Sequence, residues 1–549
     1  MRRLSRFKKT LYPALGALAL SVVTIGNAWS FSPIRPRMDL VIASPERPST
    51  PEQRKEDNFW DRALLTWAND TLFELTYLDE FPQLRTILAA DRGSFDKSYK
   101  NLTIRLKKGL TFANGEPLTA QSFVDSWEKL KSAPKASSIW RTFLSRVQSF
   151  EAPNSETLVL RFVQPEPDFE KVLAQSFTAP RSKRDPAAGS GPFILSDWQP
   201  GFGLILKART NYSHSFFPTQ ASTELRDAGY LSQSSKPLPQ IDGIRVDWTE
   251  NHTEAWKRFR EGNADLIDLH SSFAQEALEP GKPWILKSDL GATGIKLETG
   301  WKPTFSLVLL NLKTLPKLET RKAILGELDL SFWAEAPGFL KSSLPKSETP
   351  ALPRLDHWLD DGLKSSEAAL LVGSKKKPHL KKILQTLRLE IVGSDQQGRE
   401  ILELAQSRLE KAGFSMESQT NDLQTAVDRF KKGQVDVLIL GWTWELPTWR
   451  NVLEPIFALQ PDELRGLPEL SRLEALSSSK PSNAAKQTRA IHLALQNLAV
   501  WSPGPRHHRH VLIQPWVFGF HVSPAAPSPE RYLRVDRELR TNYLENSKK

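Results

Sequence analysis

The chain has 549 residues, of which 39% are hydrophobic, 25% are charged and none is cysteine. This length predicts two or three domains, because a single hydrophobic core stops growing beyond about 250–300 residues. The missing cysteines exclude disulfide bonds, thiol catalysis, thiolate metal sites and a lipid-modified N-terminal cysteine. The formal net charge is +11, but no basic stripe alternates with aromatic residues, which argues against nucleic-acid binding.

Residues 1–30 have the pattern of a cleavable signal peptide. Five lysine and arginine residues precede a mostly apolar run over residues 11–26, and residues 28–30 supply the small residues of a cleavage site. The alternative is a membrane anchor, but this run contains Pro13 and falls short of the roughly 20 residues that a spanning helix needs. We therefore expect an exported, soluble periplasmic protein that is not a lipoprotein.

An amphipathic strand and a helix are predicted between residues 101 and 130. Apolar and polar residues alternate over residues 102–107, as they do in a strand with one buried face. Thr119 can cap a helix whose inner face is aromatic. We expect a small α+β region here, and a domain boundary in the stretch rich in Pro, Ser and Gly at 181–192.

Two segments of the chain repeat each other 171 residues apart. The first is Ala255–Leu269 and the second is Ala426–Leu440, and Ala, Arg, Phe, Gly, Asp and the final Leu coincide in register. Each segment predicts the end of a helix, a glycine just beyond it and a short buried strand. Convergence is the alternative, since this unit is common, but the shared register favours two similar α/β lobes.

The second copy of the repeat lies in a β-α-β-α-β pattern, which predicts an open α/β sheet. A strand is predicted at Leu387–Val392, an amphipathic helix at 399–413 and a central parallel strand at 435–440. Ligands bind such sheets beyond the carboxyl ends of the strands. The loop that begins at Gly441 and the corresponding loop His270–Phe273 are therefore expected to face one cleft.

A cluster of basic and imidazole groups occurs at Arg506–His510. On a strand, His508 and His510 share one face, and two imidazoles could bind nickel, copper or zinc. The alternative is a polar sheet edge without a metal. We predict no metal ligands from this cluster.

The sequence has no motif of a common catalytic site. The patterns G-x-S-x-G and H-E-x-x-H, a P-loop and a cysteine nucleophile are all absent from the sequence. Isolated Ser, His and Asp residues carry no information in a chain of this length. We therefore predict a binding protein rather than an enzyme, without a cofactor.

Seven blocks of the chain resemble the family 5 extracellular solute-binding proteins, which include the periplasmic oligopeptide- and dipeptide-binding proteins of ABC importers. The blocks follow one another in family order and lie at Leu102–Leu130, Gly189–Tyr212, Ile241–Trp248, Phe259–Leu269, Phe305–Thr314, Glu319–Asp329 and Phe430–Thr448. Two departures stand out. "ELD" at 327–329 replaces the family's "aiD", and Glu445 stands where the peptide binders carry Asp.

The resemblance implies a fold class and a domain organisation. The expected fold is α/β, a two-lobed periplasmic-binding-protein clamp of type II, cluster C-like, with an extra inserted α+β domain. Domain I would be discontinuous and domain II would be inserted into it. The expected ranges are 31–60, 189–300 and 505–549 for domain I, 61–188 for domain II and 301–504 for domain III.

The resemblance also implies a function. The protein would be the periplasmic substrate-binding component of an ABC transporter, a monomer that captures short peptides between its lobes and delivers them to a membrane permease. Two alternatives stay open. The same clamp could bind nickel, haem or another non-peptide solute, or it could act as a periplasmic sensor or chaperone.

The ligand site that the resemblance implies lies in the two loops at the strand ends. The acid after Gly-Trp meets the ligand's α-ammonium in family members that bind peptides, and here that acid is Glu445. The neighbouring indoles could offer ring faces to the ligand. The alternatives are a solvated loop acid for Glu445 and core packing for Trp442. The predicted ligand-binding residues are Gly441, Trp442, Trp444, Glu445, Ser272 and Phe273.

Overall fold

The structure is a computed structural model of the chain. It describes residues 38–48, 59–79, 83–131, 144–280, 284–335, 386–393, 396–443, 456, 459–460, 464, 495, 497–523 and 528–546. The predicted signal peptide and two predicted site residues, Trp444 and Glu445, lie outside these ranges. Within the described ranges, none of the helices combines the length and the hydrophobicity that crossing a bilayer requires.

Strands and helices alternate along most of the described chain. The strands β1 to β18 are Asp39–Ser44, Phe73–Leu75, Leu84–Thr86, Ser94–Phe95, Asn101–Arg105, Val147–Asn154, Thr157–Phe162, Phe193–Gln199, Gly203–Ala208, Gly243–Trp248, Leu266–Asp268, Lys296–Leu310, Thr386–Val392, Ser415–Asn421, Val437–Thr443, Trp501–Ile513, Val517–Phe518 and Arg534–Val535. The helices α1 to α12 are Phe59–Ala68, Ala120–Lys131, Phe169–Val172, Thr223–Asp227, His252–Arg260, Ser271–Ala277, Ser288–Ala292, Leu318–Glu327, Leu330–Glu335, Gln396–Lys411, Leu423–Lys431 and Arg537–Asn546.

One ten-stranded sheet, in the order β14-β13-β15-β12-β16-β11-β1-β10-β9-β8, runs through both lobes. Strands β10, β1 and β11 are parallel, and so are β14, β13 and β15. Strands β12 and β16, with 15 and 13 residues, pair antiparallel to each other and join the two groups. We call the part with β1 and β8–β11 the first lobe and the part with β13–β15 the second lobe.

Helices cover both faces of the sheet in each lobe. In the first lobe, α1 packs on one face and α5 with α6 on the other. In the second lobe, α11 packs on one face and α8, α9 and α10 on the other. This layering follows the predicted periodicity, because the apolar face of α10 carries Ile401, Ala405 and Leu409, which are all buried. The α/β, two-lobed architecture is therefore the one that the sequence predicts.

The inserted α+β region forms a separate four-stranded antiparallel sheet, β4-β5-β7-β6, with α2 packed against it. Phe123 and Trp127 of α2 are fully buried, in agreement with the aromatic inner face predicted for this helix. The predicted start of the insertion at residue 61 falls inside α1, whose Trp60 and Trp67 belong to the core of the first lobe. Helix α1 therefore packs with the first lobe, since its indoles are buried there.

The internal repeat is visible in the backbone of both lobes. Gly262 and Gly433 follow α5 and α11, and each has φ +71°, the left-handed conformation that ends a helix. Three residues after each glycine a buried aspartate, Asp265 or Asp436, precedes the short strand. The two segments thus have the same local structure, as the matching sequence predicts.

Each of these aspartates bonds to the backbone of the strand beside it. The Oδ2 atom of Asp265 accepts from Val41 N at 2.6 Å, and Oδ2 of Asp436 accepts from Arg388 N at 2.8 Å. Their own N–H groups donate back to the carbonyl oxygens of Val41 and Arg388. One aspartate per lobe therefore fixes the parallel strand pair at the same place.

A side-chain amide completes the repeat in each lobe. Gln514, after β16, donates from Nε2 to the Phe259 carbonyl at 2.6 Å, and Asn311, after β12, donates from Nδ2 to the Phe430 carbonyl at 2.8 Å. Both carbonyls belong to the last turn of a helix, where they lack the usual i+4 donor and accept from the N–H of Gly262 or Gly433 instead, so that the amide adds a second bond. The repeat therefore extends to β12 and β16, which occupy equivalent positions in the two lobes.

Candidate functional site

The carboxyl ends of β11 and β15 point at the same place, the middle of the β12–β16 pair. Along β11, the partners in β16 run from Ile513 down to Val511. Along β15, the partners in β12 run from Leu310 down to Thr304. We call this middle part the hinge segment; it comprises residues 299–305 of β12 and 506–510 of β16. The ends of β11 and β15 therefore lie beside the two strands of the hinge segment.

The pairing of β12 with β16 is irregular at the hinge segment. Register shifts occur between Trp301 and Phe305 and between Phe305 and Leu307. Residue 303 within the hinge segment and residues 503 and 505 just before it are prolines, which have no N–H group to donate to a sheet. The prolines reduce the number of backbone hydrogen bonds between β12 and β16, and the register shifts leave residues unpaired. We therefore expect this part of the sheet to bend most readily.

Two glycines anchor the strands near the two ends of the hinge segment: Gly300 lies within it, and Gly504 lies just outside it. A Cβ atom on Gly300 would lie 2.4 Å from the Val522 carbonyl oxygen of the first lobe. A Cβ atom on Gly504 would lie 2.6 Å from the Trp333 ring of the second lobe. Each strand is thus packed tightly against one lobe, which confines bending to the residues between these contacts.

The predicted imidazole cluster lies on the hinge segment. His508 and His510 share a face of β16, with ring centroids 5.7 Å apart. The His510 ring also stacks on Trp284 at 3.4 Å, and its Nδ1 lies 2.9 Å from Thr299 Oγ1. The interpretation of this cluster as a sheet edge is wrong, because β16 lies between β12 and β11 in the interior of the sheet.

The imidazoles of His507 and His510 in the hinge segment are held neutral by their surroundings. Burial, followed by the charges of Lys302 and His508, lowers the pKa of His507 to about 4. Burial, followed by His508 and Lys302, lowers the pKa of His510 to about 3. The His507 Nε2 atom lies 2.9 Å from Ser306 Oγ. At neutral pH these rings therefore offer polar and aromatic contacts, but no charge.

A metal assignment needs more ligands than this cluster brings together. Among the residues that the structure describes, no three His, Asp or Glu side chains are grouped so that they could hold a metal ion. Zinc sites in proteins use three or four side chains. The pair of His508 and His510 supplies two imidazoles, and one nitrogen of His510 already faces Thr299.

An ion pair that the sequence did not reveal lies at the end of β11. Arg509 donates from Nε to Asp268 Oδ1 at 2.7 Å and from Nη2 to Oδ2 at 3.3 Å. The Asp268 side chain is 53% exposed and that of Arg509 is 11% exposed. Enclosure by the surrounding protein acts to raise the pKa of Asp268, but Arg509 and Lys302 outweigh it and the pKa is lowered. Asp268 is therefore an ionised acid on the cleft side of its partner.

Histidine side chains also line the wall of the first lobe. The rings of His252 and His270 stack with centroids 3.7 Å apart and an angle of 8° between their planes. Burial lowers the pKa of both. This wall therefore presents neutral imidazoles, as the hinge segment does.

Two of the predicted site residues are exposed at the strand ends. Gly441 is exposed on β15, opposite Ser306 of β12. Ser272 is exposed in the first turn of α6, where its N–H donates to His270 Nδ1 at 3.1 Å. The backbone of Trp442 pairs with Phe305 in the sheet. Ligand contact by these residues stays a prediction.

Phe273 is a core residue, and the expectation that it contacts ligand is corrected here. Its side chain is 1% exposed and stacks on Trp256 of α5 with centroids 4.9 Å apart. The segment read as a loop begins a helix at Ser271, which turns position 273 towards the neighbouring helix. The same turn leaves Ser272 on the outside.

The sequence matches the model of a known protein family. Residues 83–462 match the model of the bacterial extracellular solute-binding proteins, family 5, middle region. A Brucella melitensis protein described as a binding protein is 20% identical over 192 residues, or 33% of this chain. The match spans only 28% of the length of that relative.

Solved structures match nearly the whole chain. Haemophilus influenzae OppA in complex with the peptide RPPGFSPFR has a TM-score of 0.62 and 15% identity, over 91% of this chain and 99% of OppA. Helicobacter pylori DppA in complex with the peptide STSA has a TM-score of 0.62 and 14% identity, over 90% of this chain and 98% of DppA. These likenesses establish the two-lobed clamp as the fold. Since the family model matches more than half of the residues, the chain belongs to the bacterial extracellular solute-binding proteins of family 5.

Proposed function

We propose that the protein is the periplasmic substrate-binding component of an ABC importer and that it captures short peptides between its lobes. The observation that carries the proposal is the convergence of β11 and β15 on the irregular hinge segment. Two walls with exposed strand-end groups over a bendable floor make a cleft that can close on a ligand. Closure would create the surface that a membrane permease recognises.

An open strand edge supports a peptide as the ligand. The described pairing of β15 with β13 ends at Ile439, whereas its pairing with β12 continues to Thr443. Among the described residues, no strand pairs with 440–443 on the side away from β12, so that their backbone groups on that side can take a new partner. An extended peptide can add to such an edge through main-chain hydrogen bonds that do not depend on its side chains. Two structural relatives, OppA and DppA, were solved with peptides.

The predicted contact of Glu445 with the ligand's α-ammonium belongs to this proposal. An ammonium buried without a partner costs several kcal/mol, and a carboxylate in the cleft would remove that cost. Trp442 and Trp444 precede the acid in sequence and could contribute cation–π contacts of about 0.5–2 kcal/mol each. Glu is longer by one methylene than the family's Asp, so its carboxylate would reach further into the cleft.

Export and partners follow from the same proposal. The family comprises extracellular proteins, and residues 1–30 would direct export and be removed. The mature protein would act as a monomer that docks on an ABC permease.

Calorimetry on the mature protein with a library of di- to pentapeptides tests the proposal. We expect binding by several peptides with little dependence on side-chain identity. If the folded protein binds none of them, the peptide assignment is wrong. Native mass spectrometry of protein purified from its own periplasm would then identify a non-peptide solute.

A single substitution tests the ammonium contact. Glu445→Gln should weaken binding of the best peptide by about 1–3 kcal/mol, because a neutral amide replaces a charge-assisted partner. The matched control is Glu403→Gln on the exposed side of α10, which should leave affinity unchanged. Equal affinities of wild type and Glu445→Gln would remove Glu445 from the site.

A further inference from the structure

A cavity of about 110 Å³ opens on the surface of the first lobe. Its lining comes from residues 217–233, from the start of β12 with the end of β16, and from residues 517–534 around β17 and β18. None of the described residues of the second lobe lines it. The cavity therefore belongs to one lobe, whereas the proposed peptide cleft lies between two.

The cavity lies on the face of the sheet that carries α1. Lys296 and Glu298 of β12 line it, and Lys296 stands opposite Ile513 of β16, which belongs to the core beneath α1. Leu297, between them, points to the other face and packs with α5 and α6. The next residue on the face of the cavity, Gly300, packs so closely on the first lobe that a Cβ atom would not fit. This contact lies between the cavity and the rest of the hinge segment.

Two cationic side chains in the cavity face a single aromatic ring. Arg534 stands opposite Phe518 across β17 and β18, and its guanidinium carbon lies 4.3 Å from the ring centroid. The Lys296 Nζ atom lies 5.7 Å from the same centroid. Such contacts stabilise a positive charge, but a ring face does not replace the acceptors that N–H groups need.

Both cations keep donors that no acid of the described chain occupies. Within that part of the chain, Lys296 makes no hydrogen bond or ion pair, and the buried Nε atom of Arg534 has no hydrogen-bond partner. Asp536 approaches Nη1 of Arg534 at 3.5 Å, and Glu298 is engaged by His521 Nδ1 at 2.7 Å. A buried donor without an acceptor is unfavourable. An anionic group in the cavity would supply the missing acceptor.

Aromatic rings supply the apolar part of the cavity wall. These rings are Phe217, Tyr230, Phe518, Phe520 and Tyr532. The mouth is open to solvent, because Gly229 and Ser232 on its border are exposed. An apolar cavity of about 150 Å³ holds benzene, so a ligand of that size would fill this one and reach into the mouth. The wall therefore suits a small, flat, apolar body that carries one anionic group.

We propose that this cavity is a second ligand site, which binds a small carboxylate with a flat apolar body. The carboxylate accepts hydrogen bonds from Lys296 and Arg534, and the body packs against Phe518 and the neighbouring rings. The negative charge of Glu298 keeps the carboxylate at the end of the cavity where the two cations lie. The proposal does not depend on the peptide assignment, because no group of the cleft takes part.

The probes for the test are benzoate, its neutral analogue benzamide, and acetate, which has the charge without the ring. Ligand-observed NMR titration measures their affinities for the mature protein. Benzoate should bind wild type with a dissociation constant in about the millimolar range, as expected for so small a ligand. Benzamide and acetate should each bind at least about tenfold more weakly, because each lacks one half of the recognition.

Four variants locate the site. Lys296→Met should weaken benzoate about fivefold to twentyfold and leave benzamide unchanged, whereas Lys296→Arg should stay within about threefold of wild type. Ser232→Trp fills the mouth and should abolish benzoate binding. The matched control is Lys207→Met, which removes an exposed lysine on β9 of the same lobe and should bind benzoate as wild type does. Circular dichroism of each variant establishes that it is folded.

Several results would overturn the proposal. They are a folded wild type that does not bind benzoate, equal affinities for benzoate and benzamide, and unchanged benzoate affinity in Lys296→Met and Ser232→Trp. Displacement of benzoate by a peptide that binds in calorimetry would place benzoate in the cleft and would also overturn it. If no peptide binds, the proposed function fails, while the benzoate titrations still decide whether the second site exists.

Discussion

Substitution of the two repeated aspartates should destabilise the two lobes unequally. Asp436 sits in the second lobe and accepts three hydrogen bonds from Arg388, two of them from its guanidinium. Asp265 sits in the first lobe and accepts from Val41 N, from Trp516 Nε1 at 2.8 Å and from Arg540 Nη2 at 2.5 Å. The two acids hold equivalent positions, so Asp→Asn is the same chemical change in both.

The difference lies in the exposure of the partner arginine. The side chain of Arg388 is 37% exposed, so that its charge can return to water when Asp436 becomes Asn. The free energy of unfolding should then fall by about 1.5–3 kcal/mol, which is what hydrogen bonds to a charged group contribute. The side chain of Arg540 is 4% exposed. In Asp265→Asn the charge of Arg540 stays buried without its counter-ion, and the free energy of unfolding should fall by about 3–5 kcal/mol.

Hydrogen exchange read separately on β11 and β15 measures both effects in one molecule. Protection of β11 should fall more in Asp265→Asn than protection of β15 falls in Asp436→Asn. A larger loss in Asp436→Asn would refute the reasoning, because it would mean that exposure of the arginine does not set the cost.

Two further predictions concern the core and the pH dependence of stability. Phe273→Ala should lower the free energy of unfolding by about 3–5 kcal/mol, and the folded variant should keep its peptide affinity. Urea unfolding measures the first effect and calorimetry the second. A loss of affinity without a loss of stability would return Phe273 to the ligand site. The folded-state pKa values of His507 and His510, about 4 and about 3, lie below the ordinary 6.5. Between these values and pH 6.5 the unfolded chain binds protons that the folded chain does not, so stability should fall as the pH falls through this window. For His507 the loss is at most about 3 kcal/mol, less where water reaches the ring. Urea unfolding at pH 7 and pH 4.5 should show a smaller decline in His507→Gln than in wild type, and equal declines would contradict the assigned burial.

Regular elements with a strong period were predictable from the sequence. The alternation at 387–392, the apolar helical face through Ile401, Ala405 and Leu409, and the glycines that end the repeated helices all predict what the structure shows. These signals are local, because they depend on residues a few positions apart. They also predict the parallel strand at 435–440, which is parallel to β13 in the structure.

The features of the cleft floor were not predictable in this way. Asp268 and Arg509 are 241 residues apart and meet because β11 pairs with β16. Lys302 belongs to no sequence pattern, and only the pairing of β12 with β16 places it in the hinge segment. Phe273 was misassigned because helix α6 starts immediately after the strand end, where a loop was expected. Each of these depends on long-range pairing that periodicity does not encode.

Ligand-induced closure is the central claim, and the distance between the lobes tests it most directly. The natural chain has no cysteine, so Lys207→Cys in the first lobe and Glu403→Cys in the second can carry a donor and an acceptor dye without background labelling. Both positions are exposed and lie away from the hinge segment. Addition of a peptide that binds by calorimetry should shorten the inter-dye distance in single-molecule energy transfer. An unchanged distance at saturating peptide would contradict the clamp.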